Sequence, residues 1–234
     1  MEVDLGVRLR AVLWDMDGTI LDSEPLWFKA IGEYVGEQGG ELTDAHQASL
    51  IGTTMSRMLA IVCAAAGVEP TPQTRAEIRQ FVDRRVSELI TDCPGWQPGA
   101  KRALELTREA GLRCALVTNA SRRITEAGLD VIGREYFAAS VSGDDVIAGK
   151  PAPYAHVRAG ELLDVSPRDC VAVEDSHIGA NGAEAAGCGV VVVGLGGVSL
   201  DGPTRMARTS LVGLGIADLK QALALRDLGI GARW

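Results

Sequence analysis

The chain has 234 residues and a formal net charge of −8, long enough for one large domain or a domain carrying an insertion. Its 47% hydrophobic and 23% charged residues are ordinary for a globular protein and exclude extended disorder. The acidic balance disfavours a nucleic-acid binder or an anionic-membrane binder, and no apolar run approaches the roughly 20 residues that span a bilayer.

The first element is a short apolar run, Ala11-Val12-Leu13-Trp14, which reads as a buried strand ending on an acid. Asp15-Met16-Asp17-Gly18-Thr19 follows, placing two carboxylates one residue apart on the turn that leaves the strand. Ser23 is the expected N-cap of a helix, with Glu24 and Pro25 in its first turn. Leu26, Ala30, Ile31, Tyr34 and Val35 recur at helical spacing on one face. A second helix is predicted from Ser56 to Ala66, stopping at Gly67. A third follows Pro72, with Ile78, Phe81, Val82, Val86, Leu89 and Ile90 as its apolar stripe. No strand is expected before Ile90, so this block reads as a helical module inserted behind the first strand.

Cys93-Pro94-Gly95-Trp96-Gln97-Pro98-Gly99 is rich in breakers and serves as the expected hinge back to the main domain. Beyond it, predicted helices and strands alternate. Helix 98–110 ends at Gly111 and is followed by strand 114–117, helix 124–132, strand 138–141 and helix 154–163. Strand 170–173, helix 178–186, strand 190–193 and a last helix, 216–228, complete the series. Apolar strands alternating with helices indicate a Rossmann-like α/β fold, a parallel sheet covered on both faces. The predicted division is a core of residues 1–20 and 92–234 and a helical cap of residues 21–91.

Each predicted core strand exits into polar residues. Asp15 and Asp17 leave the first, Thr118-Asn119 the second and Glu174-Asp175-Ser176 the fourth, while Gly149-Lys150-Pro151 precedes a helix. Singly, each has an ordinary structural explanation: Asp-Gly makes turns, Thr-Asn caps helices, and a lone Lys is a solvated surface residue. Glu-Asp at a helix start compensates the dipole. All four together, each at the carboxyl end of a strand where open α/β sheets bind ligands, mark a site.

On these residues the chain resembles the haloacid-dehalogenase-like hydrolases. The match comprises Asp15-Met16-Asp17-Gly18-Thr19, Thr118-Asn119, Gly149-Lys150-Pro151-Ala152-Pro153, and Glu174-Asp175-Ser176 with Gly179. Within that superfamily it is similar to the small phosphatases and β-phosphoglucomutases. The resemblance implies a Mg²⁺-dependent phosphatase that works through an aspartyl-phosphate on a small phosphorylated metabolite, a sugar phosphate among them. It makes Asp15 the nucleophile and Asp17 the general acid and base. Mg²⁺ would be held by Asp15 and Asp175 side chains and the Asp17 carbonyl, with Glu174 close by. Lys150 would neutralise Asp15 and the phosphoryl group, and Thr118 would donate to a phosphoryl oxygen, with Asn119 beside it. In relatives the Lys150-Pro151 bond is cis, a geometry adopted by only about 5% of X-Pro bonds.

The resemblance also implies a mobile lid, with Glu24, Trp27, Gly52, Thr53, Thr54 and Arg57 as its candidate substrate contacts. Arg57, Arg122 and Arg123 are candidates at the pocket rim. Thr19 is expected either to orient Asp17 or to close its turn, and Trp27 reads first as core packing. The β-phosphoglucomutase alternative shares every core residue. It is weakened because Trp27 stands where that branch has His, and Ser56-Arg57 sits further from Gly52 than in that branch. A receiver-like signalling module, phosphorylated on Asp15, would be about half this length and would lack both the cap and Asp17.

Other signals lead nowhere. Gly194-Leu195-Gly196-Gly197 has Ser199 where a dinucleotide fingerprint needs its third glycine. His46, His156 and His177 lack ligand spacing, and His177 alone lies near a motif, as a bystander at the pocket edge. Cys63, Cys93, Cys114, Cys170 and Cys188 contain no Cys-x-x-Cys pair, and Cys114 and Cys170 sit in apolar runs as small buried hydrophobes. The N-terminal Met1-Glu2-Val3-Asp4-Leu5 lacks secretory-signal character. The expected location is therefore the cytoplasm, as a monomer or small homo-oligomer.

Overall fold

Alternate residues of a strand face opposite sides of its sheet, and the central strands obey this throughout. In the computed structural model, which describes residues 8–92, 95–194 and 204–230, β1 (Ala11–Trp14) sends Val12 and Trp14 into one apolar cluster and Ala11 and Leu13 into another. β4 (Arg113–Val117) and β6 (Cys170–Glu174) divide in the same way: Leu116, Val171 and Val173 join the first cluster, Ala115, Val117 and Ala172 the second. Both faces are dry, so these strands read as continuous apolar runs rather than as alternating ones.

With β5 (Ala139–Val141), β7 (Gly189–Val193) and β8 (Arg205–Arg208), they form a six-stranded sheet of order β5-β4-β1-β6-β7-β8, every pairing parallel. After β1 the chain winds outward to β4 and β5, then returns across β1 to β6. The winding direction reverses at β1, which opens a crevice beyond its carboxyl end between β4 and β6.

Four helices lie between residues 23 and 92 of the sequence: α1 (Glu24–Glu37), α2 (Asp44–Leu50), α3 (Met55–Ala66) and α4 (Pro72–Thr91). Thr43, Thr54 and Thr71 cap the last three by accepting a backbone N–H, and α3 ends at a left-handed Gly67. Ile31, Val62, Ile78, Val82 and Val86 are buried and continuous with the sheet's first apolar cluster, so this unit packs as an extension of the core. Its chain connections meet in a two-stranded antiparallel ladder, β2 (Leu21–Asp22) against β3 (Gly95–Trp96).

The remaining helices are α5 (Ala100–Glu109), α6 (Arg122–Ile132), α7 (Tyr154–Leu163), α8 (His177–Ala186) and α9 (Ile216–Ile230). Four features differ from the sequence expectation. Helix α2, ladder β2–β3 and edge strand β8 were not predicted, and the helix over 98–110 starts only at Ala100 because Gly99 holds a left-handed conformation at its N-cap. No described helix is long and apolar enough to cross a membrane. Met1–Leu5, Cys93-Pro94 of the expected hinge and residues 195–199 of the glycine-rich run lie outside the described residues.

Candidate active site

The crevice beyond β1 collects the four polar motifs. The Asp15 amide extends β1 by donating to the Val173 carbonyl at 3.0 Å, and the Thr118 amide extends β4 by donating to Val141 at 2.9 Å. Both side chains are thereby fixed at strand ends. Gly18 takes a left-handed φ of +77°, and a Cβ there would stand 2.0 Å from Asp175 Oδ2. Only glycine satisfies both the turn and the close approach of Asp175.

Lys150 is the centre of the charge arrangement. Its buried ammonium lies 2.6 Å from Asp15 Oδ1 and 2.7 Å from Glu174 Oε1, and donates to the Val117 carbonyl at 2.7 Å. The three partners match its three N–H donors. Burial pulls the ammonium down, but Asp15 and Glu174 outweigh it and hold Lys150 above its ordinary value. The Asn119 carboxamide fixes the backbone that carries it, accepting from the Lys150 amide at 2.7 Å and donating to the Lys150 carbonyl at 3.1 Å. The Lys150-Pro151 bond is cis.

One carboxylate oxygen each from Asp15, Glu174 and Asp175 lie within 4.8 Å of one another. Burial, with Glu174 and Asp17 adding repulsion against the pull of Lys150, raises the Asp15 carboxyl to about 7. Burial and then Asp15 and Glu174 push Asp175 well above the carboxylate range. Glu174 goes the other way: Lys150 and His156 overcome its burial and lower it. Its second oxygen, Oε2, is buried with no hydrogen-bond partner among the described residues. A Cβ on Gly179 would meet that atom at 1.8 Å, so glycine is required there. Crowded oxygen donors with one monovalent cation among them, and an orphaned carboxylate oxygen, suit a hard divalent ion that keeps part of its water.

The Asp17 carboxylate stands apart from this cluster. Its Oδ1 accepts from Ser23 Oγ at 2.6 Å and from Trp27 Nε1 at 3.0 Å, and its Oδ2 accepts from Thr118 Oγ1 at 3.4 Å. Two of these donors belong to the entrance of α1. Ser23 therefore occupies the N-cap position without capping; its hydroxyl serves Asp17 instead. Trp27 packs against the core, as expected, and also reaches Asp17. The Thr19 hydroxyl is buried without a hydrogen-bond partner among the described residues and so makes no hydrogen bond to Asp17.

A cavity of about 460 Å³ rises from Asp15, Lys150 and Asp175 to the helical unit, with Glu24, Trp27, Gly52, Thr53 and Thr54 among its walls. The helical side is mainly apolar: Phe28, Ile31, Leu50, Met55 and Met58 line it. Arg57 is exposed and does not line the cavity. Arg122 turns to Asp145, Ser140 and Glu126, and Arg123 donates to Ser87. The arginine that does reach the cavity is Arg79 of α4, paired with Asp144 and Asp83. The helical face of each arginine was not legible from spacing alone. His177 is exposed, whereas His156, set aside for lack of ligand spacing, is buried with Nε2 3.1 Å from Glu174 Oε1.

Comparison with known proteins agrees with this geometry. A phosphatase of phosphorylated carbohydrates from Thermotoga maritima is 30% identical over 181 residues, covering 76% of this chain and 82% of the relative. Hexitol phosphatase B of Escherichia coli is 29% identical over 188 residues, covering 80% and 84%. The crystal structure of CbbY from Rhodobacter sphaeroides, solved with phosphate, superposes with a TM-score of 0.78 at 28% identity, covering 90% of this chain and 99% of that one. The family model of haloacid dehalogenase-like hydrolases matches residues 9–187, and the chain belongs to that family.

Proposed function

We propose that this hydrolase is a phosphatase that cleaves the phosphate monoester of a small metabolite, with sugar and polyol phosphates the first candidates, and that Mg²⁺ is its cation. The observation that carries the reading is the division of labour between Asp15 and Asp17. Asp15 lies among Lys150, Glu174 and Asp175, while Asp17, two residues on, is held aside by hydroxyl and indole donors. Two acids with different surroundings at one strand end can play nucleophile and proton carrier.

In this reading Asp15 attacks phosphorus and becomes an aspartyl-phosphate. Asp17 gives a proton to the leaving oxygen, then takes one from the water that cleaves the intermediate. Lys150 offsets the charge shared by Asp15 and the phosphoryl oxygens, and Thr118 donates to one of those oxygens. Asn119 serves by holding the Lys150 backbone. Mg²⁺, when held by Asp15, Asp175 and the Asp17 carbonyl with Glu174 beside them, supplies charge that lets an anionic ester approach a carboxylate. The helical unit acts as a cap that excludes water from the cavity.

The cavity supports a phosphatase over a mutase. A mutase must hold a bisphosphorylated intermediate, and so needs a cation for the distal phosphate. Among the described cavity residues the cations are Lys150, engaged at the strand ends, and Arg79, already paired with Asp144 and Asp83.

The test is phosphate release from a panel of phosphorylated metabolites, wild type against Asp15→Asn, with and without Mg²⁺. Release that requires both supports the reading. No release from any ester, with interconversion of sugar phosphates instead, transfers the assignment to a mutase. Release undiminished in Asp15→Asn removes Asp15 as nucleophile.

A further inference from the structure

His156 lies on α7, six residues after Lys150, and is wholly buried. Its Nε2 is 3.1 Å from Glu174 Oε1, the same oxygen that Lys150 approaches at 2.7 Å. Its Nδ1 has no hydrogen-bond partner among the described residues. An imidazolium would leave a buried N–H unpaired at Nδ1, so the ring is neutral and carries its proton on Nε2, donating to the carboxylate. The neighbouring helix packs beside the ring: a Cβ on Gly182 of α8 would stand in ordinary contact with His156 Cε1, at 3.5 Å.

This is an expensive way to fill space. A buried ring nitrogen without a partner is destabilising, and an apolar side chain of similar size would avoid that cost. What the imidazole provides is a second donor to Glu174. Without it that carboxylate keeps a single cationic contact, from an ammonium shared with Asp15 and the Val117 carbonyl, and one contact leaves the carboxylate free to rotate.

We propose that His156 is a positioning residue that keeps Glu174 oriented within the Asp15–Glu174–Asp175 cluster, and thereby sets the affinity of that cluster for a divalent cation. The inference rests on the reading of the cluster as a Mg²⁺ site. Groups that orient the ligands of a metal typically change its affinity 10- to 100-fold when removed, although they never touch it.

The experiment is calorimetric titration of metal-stripped protein with Mg²⁺, comparing wild type, His156→Phe and His156→Gln. Substrate KM is measured alongside at saturating Mg²⁺. His156→Phe keeps the volume and loses the donor; the expected result is a Mg²⁺ Kd raised by about 10- to 100-fold with KM unchanged. His156→Gln restores an N–H donor and recovers part of the loss. Should Phe not fit beside Gly182, His156→Leu supplies the donor-free variant. A folded donor-free variant whose Kd stays within about twofold of wild type overturns the proposal and leaves the Mg²⁺ reading intact. A wild type that binds no Mg²⁺ overturns both.

Discussion

The Trp27 indole donates to Asp17 Oδ1 at 3.0 Å, so a residue of the helical unit orients the carboxylate assigned to proton transfer. The bond ties the position of α1 to the readiness of Asp17. Hydrogen bonds to charged groups contribute about 1.5–3 kcal/mol, and Trp27→Phe should therefore lower kcat by about 10- to 100-fold on an alkyl phosphate. Phosphoenzyme formation from p-nitrophenyl phosphate, whose leaving group departs as a stable anion without protonation, should fall much less. Pre-steady-state rates on the two substrates read the difference; equal losses would assign Trp27 to packing alone.

Gly179 offers a test in which two ordinary expectations conflict. It lies inside α8, where alanine is normally favoured over glycine by about 1 kcal/mol. Here the added Cβ would meet Glu174 Oε2 at 1.8 Å, and Glu174 is buried against Lys150 and His156. The clash should reverse the sign. Gly179→Ala is expected to melt below wild type and to lose activity by at least about tenfold, as displaced catalytic groups commonly do. Thermal denaturation and kcat/KM measured on the same preparation decide it.

The readable parts of this chain are those whose signal is local. β1, β4, β6 and β7 are apolar on both faces, and β1, β4 and β6 each end abruptly in polar residues, so both the strand and the site at its exit show in one glance. β8 reads Arg-Met-Ala-Arg and lies at the sheet edge, where pairing on one side tolerates charges that conceal it. β2 and β3 have two residues each, too few for any period. α2 has seven residues, and its capping box is closed by His46 rather than by an acid. In the site, Asp15, Asp17, Thr118, Glu174 and Asp175 are legible from their strand ends, and Lys150 from the Gly-Lys-Pro run that precedes α7. Arg79 and His156 arrive by helix packing, which fixes the facing of a side chain only after the helices have docked. The facing of Arg57 and Arg122 escapes the sequence for the same reason.

Lys150 should be indispensable to the fold as well as to activity. Removing one partner of a buried ion pair costs about 3–5 kcal/mol because the remaining charge stays uncompensated, and Lys150 serves two carboxylates, Asp15 and Glu174. Lys150→Met is expected to lower the melting temperature markedly in metal-free buffer. Millimolar Mg²⁺ should return part of that loss by standing in for the missing positive charge, and activity should stay below about 1% of wild type, in line with loss of a transition-state electrostatic contact. A melting temperature unmoved by the substitution would show that the carboxylates are compensated elsewhere.

Asn119 separates holding the loop from binding the substrate. Its carboxamide is spent on the amide and carbonyl of Lys150, and the Gly149 position leaves it no slack, since a Cβ there would lie 2.5 Å from Asn119 Oδ1. Asn119→Ala leaves two backbone groups of a buried residue unpaired, at about 1–3 kcal/mol each, and frees the Lys150 ammonium to drift from Asp15. Asn119→Asp keeps the acceptor for the Lys150 amide and loses the donor to its carbonyl, so it should fall between wild type and alanine in stability. Both should lower kcat more than they raise KM if, as proposed, the lysine acts on charge that develops during transfer. If Asn119→Ala instead raises KM at constant kcat and stability, Asn119 binds the phosphate itself and the loop stands without it.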